Sequence, residues 1–201
     1  MIAIIDCGAG NLGSVRNALG RLGAKCLIAR DASSIRRAGR IILPGVGAFG
    51  HMMNSLEKKK LVGPIKESIE QGKPFLGICL GMQALFEKSE ESPGIKGLSI
   101  FKGSVVRFRK GKVPQTGWNM IETKKPCLKP QLVKGGYAYF VNSYYPKPYD
   151  KPIISATSNY NGEFTAAVQH KNILAVQFHP EKSGKYGLSM LGRWLRLRAV
   201  W

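Results

Sequence analysis

One stretch of sequence decides the fold: Phe75-Leu76-Gly77-Ile78-Cys79-Leu80-Gly81-Met82-Gln83. Its first, apolar residues follow a proline and predict a buried strand, and residues 81–87 predict the helix that comes next. Between them, Gly77, Cys79 and Gly81 have the G-x-S-x-G spacing of a nucleophile elbow, with sulfur in place of the hydroxyl. A sharp strand-to-helix turn leaves no room for a Cβ beside the nucleophile, which explains the two glycines. The stretch therefore predicts a strand, a tight turn with a candidate nucleophile, and a helix.

This turn suits Cys79 to thiol chemistry. The predicted helix points free N–H groups and its positive dipole end at the sulfur, which favours thiolate over thiol. The N–H of Leu80, the residue after the candidate nucleophile, is placed to receive an oxyanion. The alternative is a buried cysteine on a core strand, which is the commoner role of a lone cysteine. The flanking glycines argue against this alternative without excluding it.

Strands and helices alternate in the first half of the chain, which predicts a parallel, doubly wound sheet. The expected strands are residues 1–5, 26–30, 40–43 (closed by Pro44) and the stretch quoted above, and the expected helices are residues 12–22 (stopped by Gly23), 52–56 and 61–69. Sites in such sheets form at the carboxyl ends of strands. The loop Pro44-Gly45-Val46-Gly47-Ala48-Phe49-Gly50 lies at such an end. Its glycines let backbone N–H groups approach a ligand closely, although a plain connecting loop is the simpler alternative.

The second half changes to short strand-like runs separated by turn signals, and a last helix follows Ser183 as its expected cap. The runs are residues 105–108, 139–144, 153–158, 164–169 and 173–178. We expect an α/β fold with a flavodoxin-like, doubly wound, mostly parallel central sheet and an added antiparallel portion in the second half. A chain of 201 residues is long enough for one domain with a full core, so we expect a single domain over residues 1–201.

The chain has three histidines, and one of them stands at a strand end. His179 follows the run at residues 173–178 and is followed by Pro180 and Glu181. His179 is the candidate base for Cys79, and Glu181 the group that orients the imidazole and stabilises its charged form. His51 and His170 are interpreted as surface or structural residues. Taken alone, any histidine is more often structural than catalytic, but here it coincides with a cysteine elbow.

Composition limits the environment and the partners. The four cysteines, Cys7, Cys26, Cys79 and Cys127, form no CxxC pair, which argues against a metal cage or disulfide framework and for a reducing, cytoplasmic compartment. No run approaches transmembrane length, so we expect no membrane partner. The net charge of +19 raises nucleic-acid binding as one interpretation, but the basic residues are scattered outside any nucleic-acid motif. We expect mostly solvated faces, with an acidic protein partner or anionic substrate as the more interesting possibility.

These motifs together resemble the class I, triad-type glutamine amidotransferases. The resemblance is carried by Pro44-Gly45-Val46-Gly47, Gly77-Ile78-Cys79-Leu80-Gly81-Met82-Gln83 and Gln177-Phe178-His179-Pro180-Glu181-Lys182-Ser183. Within that family the chain is similar to the glutaminase subunits of imidazole glycerol phosphate synthase. The narrower similarity rests on Asp6-x-Gly8-x-Gly10-Asn11-Leu12-x-Ser14-Val15, Gly45-Val46-Gly47-Ala48-Phe49-Gly50, Gly117-Trp118-Asn119 and Tyr139-Phe140-Val141-Asn142-Ser143-Tyr144.

The resemblance implies a reaction and a set of residues. The Cys79 thiolate attacks the side-chain amide of glutamine, His179 protonates the leaving ammonia, and water then cleaves the thioester. The oxyanion is held by N–H groups of Leu80 and of Val46 or Gly47. The implied glutamine-binding residues are Gly47, Gln83, Glu91, Asn142, Ser143 and Tyr144. No cofactor or metal is implied.

The resemblance also implies a partner, a (βα)8-barrel cyclase that uses the ammonia in histidine biosynthesis. The implied contact residues are Gln115, Gly117, Trp118, Asn119 and Tyr139. The chain departs from the family pattern at Cys7, where tyrosine is usual, and at Asn142, where histidine is common. Two alternatives stay open: a glutaminase that serves another synthase, of pyridoxal phosphate or anthranilate type, and a non-catalytic basic module that binds nucleic acid.

Overall fold

A computed structural model describes residues 1–8, 10–124 and 130–197, so Cys127 lies outside the described residues. The helices within these ranges are α1 (Leu12–Arg21), α2 (Ala32–Arg37), α3 (Phe49–Lys58), α4 (Val62–Glu70), α5 (Leu80–Gln83) and α6 (Gly184–Leu195). The strands are β1 (Ile2–Ile5), β2 (Cys26–Ala29), β3 (Arg40–Gly45), β4 (Phe75–Cys79), β5 (Phe86–Ser89), β6 (Phe101–Arg107), β7 (Gln115–Thr123), β8 (Gly136–Asn142), β9 (Tyr144–Pro148), β10 (Ile154–Asn159), β11 (Glu163–His170) and β12 (Ile173–Val176).

A nine-stranded sheet organises the described part of the chain, with the order β2-β1-β3-β4-β12-β11-β10-β7-β8. The first five strands of this order are parallel, and the pairs from β12 to β8 are antiparallel. β4 lies between β3 and β12, which places Cys79 at the carboxyl end of a central strand. The predicted mostly parallel sheet with an antiparallel extension is therefore confirmed.

The core lies on both faces of this sheet, as expected for a doubly wound fold. One face packs Ile35 of α2, Phe49 of α3 and Ile65 of α4 into a single apolar cluster. The other face packs Leu19 of α1 and Trp194 of α6 into a second cluster. Strand residues alternate between the two clusters because successive side chains point to opposite faces.

Several details differ from the sequence-based expectation. β12 was expected with the antiparallel runs, but it pairs in parallel with β4 and forms the seam between the two parts of the sheet. β7 was not predicted. β3 also continues through Pro44 to Gly45 instead of ending before the proline.

The helix expected over residues 81–87 ends after one turn, at Gln83. The backbone carbonyls of Ala84 and Leu85 accept hydrogen bonds from Leu98 and Ile100, residues of a distant loop, and Phe86 begins β5. β5, β6 and β9 form a separate three-stranded sheet. The dipole of a single turn is small, so hydrogen-bond donors near Cys79 matter more than the helix itself.

None of the helices in residues 1–8, 10–124 and 130–197 has the length and apolar character needed to cross a membrane.

Candidate active site

The elbow places Cys79 in a strained backbone conformation, with φ of 53° at the junction of β4 and α5. Both glycines of the motif lie against backbone. A Cβ added to Gly81 would come within 1.7 Å of the Leu43 carbonyl oxygen, and one added to Gly77 would come within 2.8 Å of the Gly81 carbonyl oxygen. The steric reason predicted for the glycines is therefore met.

The chain brings His179 and Glu181 to this cysteine from across the sequence. His179 follows β12, the neighbour of β4, and Glu181 lies in the 3-10 turn Pro180–Lys182. The Nδ1 of His179 is 2.8 Å from Oε1 of Glu181, and both side chains are almost fully buried. The His179 imidazole also interacts with the Cys79 side chain, and this interaction raises the pKa of His179. The structure thus brings the three candidate side chains together.

The charge state of the imidazole follows from these contacts. Burial lowers the pKa of His179, but the hydrogen bonds to Cys79 and Glu181 and the charges of these two partners raise it to about 10. The imidazole is therefore held as an imidazolium between two acceptors at neutral pH. This protonation state is the one required to donate a proton to a leaving group.

Ser183, the expected cap of the last helix, holds the histidine instead. It occupies the N-cap position of α6 but makes no side-chain capping bond there. Its hydroxyl donates to the carbonyl oxygen of His179 at 2.7 Å and accepts the backbone N–H of Tyr139 at 3.0 Å. The N–H of His179 in turn donates to the carbonyl oxygen of Tyr139 at 2.9 Å. β8 is therefore fastened directly to the backbone of the catalytic candidate.

A cavity of about 290 Å³ opens over the sulfur. Its walls include the predicted triad members Cys79 and His179, all the predicted oxyanion residues and all the predicted glutamine-binding residues: Val46, Gly47, Leu80, Gln83, Glu91, Asn142, Ser143 and Tyr144. Pro114, Val141 and Lys182 complete the lining and were not predicted. Glu181 lies behind His179, outside the cavity lining.

Two of the predicted glutamine-binding side chains are already engaged within the protein. Oε2 of Glu91 accepts the backbone N–H of Phe49 at 2.7 Å, at the start of α3, where the N-cap residue has no side-chain bond of its own. The Nε2 of Gln83 donates to the carbonyl oxygen of Tyr144 at 3.1 Å and to Oε1 of Gln177 at 3.0 Å. Glu91 therefore ties the glycine loop to the far wall of the cavity, and Gln83 joins two of its walls.

Gln177, which the sequence offers only as part of the family motif, is a neighbour of the sulfur. Its side chain is fully buried, and its Nε2 donates to Sγ of Cys79 at 3.5 Å. The signal was present, because Gln177 stands two residues before His179 and alternate residues of an extended segment share a face.

The two departures from the family pattern lie close to the cavity. The thiol of Cys7 is buried and lies 3.7 Å from the carbonyl oxygen of Pro44, at the base of the glycine loop. Asn142 is buried, and its Nδ2 donates to the carbonyl oxygen of Tyr144 at 3.0 Å. The Oδ1 of Asn142 has no hydrogen-bond partner in the described part of the chain.

An apolar face lies beside the cavity, on the outer side of the β7–β8 hairpin. Trp118 is 57% exposed and Tyr137 is 58% exposed, and Met120 and Val141 are also exposed on this face. The rings of Trp118 and Tyr139 lie 6.1 Å apart, and Nζ of Lys182 is 5.9 Å from the centre of the Tyr139 ring. Val141 belongs to both the face and the cavity lining, so a partner on this face would lie at the cavity mouth.

The predicted contact residues divide between the two sides of this hairpin. Trp118 is exposed, but Gln115 is buried, and Gly117, Asn119 and Tyr139 are only half-exposed. Residues 115, 117 and 119 point away from the face that carries residue 118 because of strand alternation. Tyr139 lies opposite Trp118 in the β7–β8 pairing, and its ring packs beside Trp118 and Lys182. The structure therefore leaves Gln115 below the surface.

Within residues 1–8, 10–124 and 130–197, no group of three or more His, Cys, Asp or Glu side chains is arranged to hold a metal ion.

Comparison with known proteins agrees with this geometry. The family model described as Glutamine amidotransferase class-I matches residues 3–195. An imidazole glycerol phosphate synthase subunit HisH of Pyrococcus furiosus is 50% identical over 198 residues, which are 98% of each chain. The subunit of the same name from Thermococcus kodakarensis is 48% identical over 98% of this chain and 100% of its own.

Solved structures agree on the fold. A crystal structure of a glutamine amidotransferase superposes with a TM-score of 0.77 at 17% identity, covering 96% of this chain and 98% of its own. The structure of PurLQS from Thermotoga maritima gives a TM-score of 0.75 at 18% identity, covering 96% of both chains. At these identities the likeness concerns the fold alone.

Proposed function

The chain belongs to the class I glutamine amidotransferases, and from that premise we propose that it is the glutaminase subunit of an imidazole glycerol phosphate synthase. In this role it hydrolyses glutamine to glutamate and ammonia through a thioester on Cys79. The observation that carries the proposal is the contact chain from Glu181 through His179 to Cys79 at the floor of the cavity. The near full-length identity to relatives of that name supports the choice of synthase.

The first step uses a resting pair of thiolate and imidazolium. The raised pKa of His179 supports this state, because burial would otherwise keep the imidazole neutral. The thiolate of Cys79 attacks the side-chain amide carbon of glutamine, and the carbonyl oxygen becomes an oxyanion. The N–H of Leu80 and an N–H of the Val46–Gly47 segment are the proposed donors to it. One such donor typically contributes about 3 kcal/mol to transition-state stability.

His179 then donates its proton to the amide nitrogen, the C–N bond breaks, and ammonia leaves a thioester on Cys79. The neutral imidazole next takes a proton from water, which attacks the thioester carbon. A second oxyanion forms in the same place, and its collapse releases glutamate and restores the thiolate and imidazolium. Glu181 remains ionised and holds the imidazole by its Nδ1 throughout.

The cavity lining suits the head group of glutamine, which carries an ammonium and a carboxylate. The Glu91 carboxylate lines this cavity and favours the ammonium group, and Asn142 lies in the same lining. The remaining proposed contacts are made by Gly47, Gln83, Ser143 and Tyr144. Neither the residues nor the chemistry requires a cofactor.

The ammonia needs an acceptor, for which we propose a (βα)8-barrel cyclase bound at the apolar β7–β8 face. An exposed apolar patch of this kind is typical of an interaction surface. The cyclase would use the ammonia to form imidazole glycerol phosphate and an aminoimidazole carboxamide ribotide, in the cytoplasm. The remaining proposed elements of this assignment are a single domain over residues 1–201 and no nucleic-acid or membrane partner.

The test is glutamate release from glutamine, measured for the chain alone and with a cyclase subunit and its nucleotide ligand. We expect slow release alone, stimulation by the complex, and loss of release in Cys79→Ala. Cys26→Ala, which changes a free cysteine on β2, is the matched control and should keep full activity. Release that persists in Cys79→Ala would contradict the chemistry. Stimulation by a pyridoxal phosphate or anthranilate synthase but not by the cyclase would contradict the assignment of the partner.

A further inference from the structure

The sulfur of Cys79 receives a hydrogen bond from a buried carboxamide. The Nε2 of Gln177 lies 3.5 Å from Sγ, and the Gln177 side chain has no exposed surface. On another side, the Cys79 sulfur lies 4.0 Å from the carbonyl oxygen of Val141. A carbonyl oxygen does not favour an anion, whereas an N–H donor does. Apart from His179, Gln177 is therefore the neighbour that favours a negative charge on the sulfur.

A second glutamine determines which end of this carboxamide faces the sulfur. The Nε2 of Gln83 donates to Oε1 of Gln177 at 3.0 Å and to the carbonyl oxygen of Tyr144 at 3.1 Å. Because Gln83 presents a donor, the oxygen of Gln177 must point to it and the NH₂ group must point to Cys79. The backbone carbonyl of Tyr144 fixes the orientation of Gln83, and Gln83 in turn fixes that of Gln177.

We propose that Gln177 is a catalytic hydrogen-bond donor that stabilises the thiolate of Cys79, with Gln83 as the positioning residue that orients its amide. The sulfur carries negative charge before attack and again when it leaves the second tetrahedral species. It is neutral in the thioester between these two points. A donor to sulfur therefore holds the nucleophile ready and assists the release of glutamate. The use of this thiolate on glutamine rests on the proposed function, but its formation does not.

The test measures the thiolate without glutamine or a partner. Alkylation of Cys79 by iodoacetamide is followed by peptide mass spectrometry from pH 5 to 10 in the full chain. The variants are Gln177→Met, which removes both hydrogen bonds, and Gln177→Glu, which keeps an acceptor for Gln83 but has no N–H for the sulfur. Gln169→Met is the matched control, because Gln169 is a buried glutamine on β11 that donates to the carbonyl oxygen of Pro130 instead.

We expect the half-maximal rate of both Gln177 variants to move up by about one pH unit, so that at pH values well below the wild-type midpoint they are alkylated about tenfold more slowly. The plateau rate at high pH should stay unchanged, because the thiolate itself is the same. Gln169→Met should follow the wild-type profile. If Gln177 had only a structural role, its substitution would lower the stability of the chain without moving the pH profile of alkylation. A profile of the Gln177 variants that coincides with the wild-type profile would overturn the proposal.

Two safeguards keep the result interpretable. If Gln177→Met does not fold, Gln177→Glu carries the test, since it keeps the volume and the contact with Gln83. Glutamate release measured on the same samples separates the two claims. A shifted alkylation profile with no glutaminase activity in the wild-type complex would refute the proposed function and leave the role of Gln177 supported.

Discussion

Gly187 controls the distance between the last helix and the turn that carries Glu181. A Cβ added at Gly187 would lie 1.8 Å from the carbonyl oxygen of Pro180 and 2.7 Å from its carbonyl carbon. These are backbone atoms, so no side-chain rotation can relieve the overlap. Normal contact requires a separation of about 3.4 Å, so Gly187→Ala must move α6 away from the turn by about 1.5 Å.

The magnitude follows from two opposing terms. Alanine gains about 1 kcal/mol over glycine as a helix former. Overpacking against immobile neighbours costs about 3 kcal/mol, and the turn that moves contains Glu181 and adjoins His179. We expect Gly187→Ala to lose about 2 kcal/mol of unfolding free energy in urea. A displacement of about 1 Å at the triad should also lower kcat/KM for glutamate release about a hundredfold.

A second glycine of the same helix supplies the control. A Cβ at Gly192 would meet only Nη1 of Arg196, at 3.9 Å, the far end of a flexible side chain. Gly192→Ala should therefore be stabilised by up to about 1 kcal/mol and keep its activity. If Gly187→Ala were as stable and as active as Gly192→Ala, the close approach of α6 to the turn would not be what positions Glu181.

Three further predictions concern the triad and the apolar face. Glu181→Gln keeps a partner for Nδ1 but removes its charge, and should lower kcat for glutamate release by about a hundredfold or more with little change in KM. Because the pKa of His179 is raised to about 10, NMR of labelled histidine should find this imidazole protonated at pH 8. In Cys79→Ala the titration midpoint of His179 should fall, because Glu181 is then the remaining partner that opposes the effect of burial. An unchanged midpoint would show that Cys79 does not raise the pKa of His179. Trp118→Ala and Tyr137→Ala are changes at exposed positions, so the free energy of unfolding in urea should stay within about 0.5 kcal/mol of the wild-type value. The same variants should bind the cyclase at least tenfold more weakly, as measured by titration calorimetry.

The local parts of the site were readable from residue types and spacing. The Gly77-x-Cys79-x-Gly81 spacing identified the elbow because its requirement is steric and involves neighbouring backbone. The position of His179 at a strand end likewise follows from a short apolar run and the residues after it. Such features are set mainly by the local conformation of the chain, where sequence pattern and geometry are closely linked, although the carbonyl that excludes a Cβ at Gly81 belongs to Leu43.

Other expectations failed where distant backbone decided the outcome. The segment after Gln83 has apolar residues compatible with a helix, but its carbonyls are taken by residues 98–101. Ser183 is a suitable cap by type, yet its hydroxyl binds Tyr139 and His179, because β8 lies within reach. For Gln115, strand alternation puts the side chain on the face opposite Trp118, but only the packing of the sheet makes that face the buried one.

By itself, the sequence determined the alternation of strands and helices, the elbow and the candidate nucleophile, base and orienter. Only the tertiary structure decided that β12 lies beside β4, that Gln177 donates to a sulfur 98 positions earlier, and which face of β7 is exposed. The physical reason is that hydrophobic periodicity distinguishes the two faces of an element but does not specify which strand is its neighbour or what covers each face. The order of strands depends on the packing of the whole sheet, and that order brings the His179 imidazole to Cys79.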